Sequence, residues 1–168
     1  MNDLELNTQL ERLRRGEKQA FSAIYDDLKT PVFTVLVRLT GDRMLSEDLL
    51  QEVFLKLYRQ PPKAEKPRAY VFRMARNLAI DALRQTQQPE SLEAQELSVQ
   101  PDPTVKMDLE RAFACLTVQE RQMVALHLSA GLTFREVAAI VERPLGTVLW
   151  QYQKAIGKLR NILDGGSL

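Results

Sequence analysis

Apolar residues recur along this chain at intervals of three and four, and no alternation of apolar and polar residues lasts long enough to make a strand. The period predicts an all-α protein. It places helices near Leu4 to Arg14, Lys18 to Leu28, Pro31 to Thr40, Ser46 to Tyr58 and Pro67 to Thr86, with Gly16, Gly41 and the Pro61–Pro62 pair as breaks. The pattern lapses from Gln87 to Pro103, where Pro89, Pro101, Pro103, Glu90, Glu93, Glu96 and Asp102 stand among few large apolar residues. A stretch with so little to bury reads as a flexible linker. Helical spacing resumes at Val105 and runs to Leu163. Thr117 with Glu120, and Thr133 with Glu136, have the spacing at which a threonine hydroxyl and a glutamate carboxylate cap each other's backbone amides, so a helix should start after each threonine. The second, Phe134 to Val141, stops at the Glu142-Arg143-Pro144 turn, and a longer helix follows from about Leu145 to Leu163. This is the layout of a helix-turn-helix, although any helical hairpin shares it. The expected organisation is two small helical domains, residues 1–86 and 104–168, joined by the linker 87–103.

Composition narrows the function more by exclusion than by assertion. No apolar run in the 168 residues approaches the roughly 20 needed to span a bilayer, so direct membrane insertion is not expected. Met1 to Arg15 carries Asp3, Glu5 and Glu11 where a secretory signal needs an unbroken apolar core, which points to the cytoplasm. The lone Cys115 and the single His127 offer neither a disulfide nor a pair of metal ligands, so both are expected in helix core, with no metal and no cofactor. There is no glycine-rich phosphate loop and no pair of carboxylates set in an apolar pocket, and an enzyme finds no support. Net charge is only +1, but its distribution is uneven: −1 over residues 1–59, +4 over 60–86, −5 over 87–110 and +3 over 111–168. Two basic blocks separated by an acidic one suit a nucleic-acid binder better than the sum does.

Two of the predicted helices carry candidate chemistry. In Ser46 to Tyr58, Leu50, Val53, Phe54 and Leu57 share an inward face, while Asp48, Gln51, Glu52 and Leu55 form another sector, which alone reads as a solvated face. In Pro67 to Thr86 the inward residues are Val71, Phe72, Ala75, Leu78, Ala79, Ala82 and Leu83. Arg73, Arg76, Asn77 and Arg84 stay outside, preceded by Lys63, Lys66 and Arg68 in a proline-bounded loop. Guanidinium forks bind phosphate with charge-assisted bonds and an asparagine can pair with a base edge, so this side suits nucleic acid, and equally a solvated basic helix.

Gly41-Asp42-Arg43, the run from Ser46 through Ser-Glu-Asp-Leu-Leu-Gln-Glu-Val-Phe-Leu-Lys-Leu-Tyr to Arg59, and the run from Pro67 to Arg84 resemble region two of the extracytoplasmic-function sigma factors. Leu116-Thr-Val-Gln-Glu-Arg, Phe134-Arg-Glu-Val-Ala and Pro144-Leu-Gly-Thr-Val148 resemble their region four, and order and spacing agree over about Phe21 to Leu163. The resemblance implies a bacterial transcription initiation factor that docks core RNA polymerase through Asp48, Gln51, Glu52 and Leu55. It implies that the loop Gln60 to Lys66 and the side bearing Lys63, Lys66, Arg68, Arg73, Arg76, Asn77 and Arg84 hold the promoter element nearest the start site. The second helix of the helix-turn-helix would enter the major groove of the upstream element through Thr147, Leu149, Trp150, Gln151, Gln153 and Lys154. It also implies an anti-sigma factor that clamps the two domains and hides the polymerase surface.

The chain departs from such relatives where they usually carry lysine or arginine after the Gly-Thr-Val: here stand Leu149, Trp150, Gln151 and Gln153. Gln151 can pair with adenine and Leu149 can touch a thymine methyl, but phosphate affinity should be weaker. Large apolar residues on a surface also suit a protein partner. Two competing readings follow, a helix-turn-helix regulator that does not dock polymerase, and a sigma-like interaction module without promoter-directing activity.

Overall fold

The computed structural model describes residues 1–86 and 109–165, and among them every regular element is helical. The first four helices are α1 (Asp3–Arg14), α2 (Lys18–Thr40), α3 (Arg43–Arg59) and α4 (Pro67–Thr86). After the undescribed segment come α5 (Leu109–Ala114), α6 (Val118–Val124), a π-helical turn (Ala125–Ser129), α7 (Phe134–Val141) and α8 (Leu145–Leu163). The linker expected over Gln87 to Pro103 lies outside the described residues.

Helix ends follow the local chemistry. Asn2 and Glu5 box the start of α1, and Thr117–Glu120 and Thr133–Glu136 box α6 and α7 as their spacing requires. Gly41 ends α2 in the left-handed region at φ 68°, and the Asp42 carboxylate then accepts the Leu45 amide at 3.0 Å to open α3. That early cap makes α3 start three residues before Ser46.

One expectation needs correction. The helices foreseen on either side of Pro31 are one, α2, with the proline inside it. Proline in a helix interior costs about 3 kcal/mol through its missing N–H and its ring. The apolar stripe outweighs it, because Ile24, Leu28, Val32, Val35, Leu36 and Leu39 are all fully buried along one side, and each such burial contributes about 1.5–3 kcal/mol. The helix begun at Thr117 starts where its cap predicts. It widens to i→i+5 bonding at Ala125, where the Ala130 amide reaches the Ala125 carbonyl at 3.0 Å, and then turns through Gly131 at φ 72°.

The long helix α2 is the central post. It packs against α1, α3 and α4 and, on its remaining side, against α5, α6 and the π-helical turn. One buried cluster consequently runs from Leu10, Leu28 and Phe72 in the N-terminal helices to Met123, Leu126 and Val137 beyond the linker. A second core, Phe113, Leu116, Val124, Ala155 and Leu159 among others, lies under α8. Cys115 is buried there, and burial pushes its thiol above the ordinary value. His127 is half-buried, stacked on Phe134 at 3.8 Å between centroids, with Nδ1 2.8 Å from the Leu132 carbonyl oxygen.

Candidate functional site

The acidic side of α3 stands open. Leu49, Val53, Phe54 and Leu57 turn into the core, and Asp48, Gln51, Glu52 and Leu55 are all exposed. Leu50, expected inside, is half-buried, with Leu49 taking the deeper place. Glu52 lies 3.6 Å from Lys56, one turn along, while Asp48 and Gln51 make no side-chain bond among the described residues. Beside this side Tyr25 and Tyr58 keep part of their rings in solvent over Phe21 and Phe54, at centroid distances of 4.8 Å for Tyr25–Phe54 and 5.2 Å for Phe21–Tyr58. The result is a patch of carboxylates beside a half-exposed leucine and two tyrosine edges. Those tyrosines sit in two helices, and spacing within either helix does not reveal that they converge.

The basic side is organised differently. Its leading loop is tied to α1: Arg14 Nη1 donates to the Pro62 carbonyl at 2.7 Å, and Asn7 Nδ2 to that of Ala64 at 3.2 Å. The Asp3 carboxylate accepts the Arg68 amide at 3.0 Å in the first turn of α4. Lys63 and Lys66 are exposed on the loop. Of the arginines that follow, Arg73 and Arg84 are exposed as expected, whereas Arg68 and Arg76 are half-buried against the C-terminal helices. Arg68 donates through Nε and Nη2 to the Ala130 carbonyl at 3.2 and 2.8 Å, and Arg76 Nε donates to Gln122 Oε1 at 2.8 Å. Arg73 Nη2 is 3.4 Å from the Ala139 carbonyl, a longer and weaker contact. Asn77 is exposed and accepts from Arg76 Nη1 at 3.0 Å. Burial lowers the Arg76 guanidinium from its ordinary pKa; nearby Arg84 pushes the same way, and the Glu142 carboxylate opposes it. Arg84 is exposed at the mouth of an open cleft of about 360 Å³ that Arg76, Gln119, Glu142 and Arg143 also line.

Ile80 explains the rearrangement. The residue comes one turn after Arg76 and one turn before Arg84, in the middle of the basic row, yet it is 6% exposed, packed with Leu83 against Val118 of α6. The signal was present in the sequence as an isoleucine at i+4 from one arginine and i−4 from another. It was masked by the surrounding charge.

On α8, Val148, Ala155, Leu159 and Ile162 are buried and Tyr152 half-buried, as the stripe predicts. Of the outward set, Leu149, Trp150, Gln153 and Lys154 are exposed and Thr147 is half-buried. Trp150 is 63% exposed, with Lys154 Nζ 5.4 Å from its ring centroid. Gln151 does not join them. Its Nε2 donates to Gln119 Oε1 at 2.8 Å and its Oε1 is buried, so the adenine contact expected of it is not available in this conformation.

Residues 24–88 match the Sigma-70 region 2 family model, a span that includes the whole of α3 and α4. The chain is 29% identical over 176 residues to the ECF RNA polymerase sigma factor SigK of Mycobacterium ulcerans, covering 95% of this chain and 94% of that protein. The chain is thus similar to extracytoplasmic-function sigma factors over nearly its whole length. SigK of Mycobacterium bovis matches at 27% identity with the same coverage. Among solved structures, the Bartonella quintana sigma factor RpoE, crystallised with the anti-sigma factor NepR, superposes with a TM-score of 0.65 at 19% identity, over 86% of this chain and 96% of that one. CnrH, solved with the cytosolic domain of CnrY, gives a TM-score of 0.64 at 17% identity, over 97% and 99%. At those identities the superpositions show a shared fold. The arrangement of helices in this chain is therefore one that solved sigma factors also adopt.

Proposed function

We propose that this protein is an alternative sigma factor, which binds core RNA polymerase, directs it to a set of promoters and helps to open the DNA there. The reading is carried by similarity to sigma factors over nearly the whole length of both chains, joined to a region 2 whose acidic side is exposed. In this reading residues 1–86 dock the enzyme and take the minus-10 element, and residues 104–168 take the minus-35 element. Asp48, Gln51, Glu52 and Leu55 form the polymerase-binding face, and the half-exposed Leu55, Tyr25 and Tyr58 supply the apolar anchor that interfaces place at their centre. Lys63, Lys66, Arg68, Arg73, Arg76, Asn77 and Arg84 hold the opened strand through phosphate and base-edge contacts. Thr147, Leu149, Trp150, Gln153 and Lys154 face the upstream element, with Gln151 joining only if it leaves Gln119. The protein works by positioning, in the cytoplasm, and an anti-sigma factor is its expected inhibitor, as NepR is named for RpoE. None of its described helices is long and apolar enough to cross a membrane.

In-vitro transcription from pooled genomic fragments of the host, with core polymerase and either the wild type or Asp48→Lys, Glu52→Lys, tests this. Discrete start sites that vanish with the charge reversal are expected. Start sites that survive it would remove α3 from the docking surface, and none at all despite binding to core polymerase would favour the second reading, an interaction module. That second reading draws on the α8 surface, where Leu149 and Trp150 replace the basic residues a DNA-facing helix usually presents.

A further inference from the structure

We propose that the open cleft between α4, α6 and the turn joining α7 to α8 is a binding site for a small phosphate ester. The phosphate meets Arg76, Arg84 and Arg143, and the organic body of the ligand lies on the apolar floor beside them. The site goes beyond the sigma reading and does not depend on it.

The lining is rich in donors and poor in acceptors. Three guanidiniums face one carboxylate, that of Glu142, around a cleft of about 360 Å³. Asp81 also attracts Arg76 from the exposed side of α4, but it does not line the cleft. Arg76 spends Nε on Gln122 and Nη1 on Asn77, which leaves Nη2 without a partner among the described residues. Gln122 carries the argument further. It lines the cleft although it is only 5% exposed. Arginine can only donate, so the bond from Arg76 fixes the Gln122 amide with its oxygen taken and its nitrogen unpaired among the described residues. A buried donor without an acceptor is costly, and a ligand oxygen would remove that cost.

Charge points the same way. Burial lowers the Arg76 guanidinium from its ordinary pKa, and the neighbouring Arg84 adds to the effect by repulsion that an anion between them would relieve. With Glu142 set against the three arginines the lining has an excess of two positive charges, and a phosphate monoester carries about −1.5 to −2 at pH 7. The floor selects an ester over the bare ion. Ile80, Val118, Met123 and Val141 are buried yet line the cleft, a surface that offers nothing to inorganic phosphate and suits an organic body. A volume at the small end of the roughly 300–1,000 Å³ of ligand pockets admits one small molecule. Arg143 lies outside both proposed DNA surfaces, so the site is distinct from the strand-holding row that shares Arg76 and Arg84 with it. If the sigma reading holds, a ligand here competes with the opened strand for those two arginines.

Isothermal titration calorimetry of the full chain at fixed low salt tests this, with adenosine 5′-monophosphate and ribose 5-phosphate as probes. At least one ester should bind at a single site, inorganic phosphate should bind about tenfold or more weakly than that ester, and adenosine should give no binding heat. Arg84→Gln and Arg143→Gln, both at exposed positions, should each weaken the ester by about tenfold, since each removes a charge-assisted bond. Glu142→Gln removes the like charge and should tighten it by about threefold. Circular dichroism checks that each variant keeps its helices. The proposal is overturned if neither ester binds at millimolar concentration, if adenosine or inorganic phosphate binds as tightly as the esters, or if Arg143→Gln leaves ester affinity unchanged. No polymerase enters these measurements, so failure of the sigma reading would leave them standing.

Discussion

At the scale of single residues, one backbone strain stands out among the described residues. Glu142 closes α7 in the left-handed region at φ 56°, where a side chain costs about 1–2 kcal/mol relative to glycine. What the glutamate offers in return is a carboxylate at the edge of the cleft holding Arg76, Arg84 and Arg143. In a cleft open to water such an attraction contributes about 1 kcal/mol or less. The backbone effect should therefore win, and Glu142→Gly is expected to raise stability by about 0.5–1 kcal/mol in a denaturant titration, after allowing for the entropy glycine adds to the unfolded chain. A loss of stability would mean that the carboxylate's hold on Arg76 exceeds the strain. The same residue shows why the site was only partly legible. The Glu142-Arg143-Pro144 sequence announces a turn, but nothing local says that the turn will face α4.

At the scale of elements, what could be read was whatever a helix settles within itself. Pro67–Thr86 and Phe134–Val141 fall at the limits their prolines, caps and stripes predict, because both ends are set by residues within a turn. The exposed acidic side of α3 and the stripe of α8 were legible for the same reason. The fusion across Pro31 was not, since a proline reads as a stop until the burial of the residues around it is known. Likewise, the widening at Ala125, where the turn packs against α2, has no breaker residue within it to announce it. On α4, Arg73, Asn77 and Arg84 are exposed as expected, but the half-burial of Arg76 and the burial of Ile80 between the arginines could not be read, because Ile80 needs a partner about 40 residues away in sequence. Pro31 gives this argument a measurable form. Pro31→Ala restores a helical N–H and removes the ring, against a loss of about 0.4–1 kcal/mol of unfolded-state restriction. A net stabilisation of about 1–2 kcal/mol is expected, read as a higher midpoint in urea at unchanged slope. Destabilisation would instead show that the half-buried ring packs better than alanine.

At the scale of the whole molecule the question is whether two halves joined by an undescribed segment behave as one body. A compact chain of 168 residues has a radius of gyration of about 15 Å, and two tethered but separate halves would exceed it clearly. The buried cluster that runs from Leu10 and Phe72 into Met123, Leu126 and Val137 makes the halves share apolar burial. The acceptors facing Arg38, Arg68 and Arg76 are neutral oxygens, less sensitive to added salt than exposed ion pairs. Unfolding should therefore be cooperative. Trp150 is the only tryptophan and lies in the C-terminal half, so its fluorescence follows that half while far-ultraviolet dichroism follows all the helices. In the wild type the two signals should trace one coincident urea transition. In the Val118→Gln, Gln122→Ala variant they should separate, with fluorescence changing first, because the C-terminal half then keeps mainly its own smaller core under α8 while α1 to α4 keep theirs. If instead the wild-type transitions already differ, the halves unfold independently, and the shared burial between them is too small to couple them.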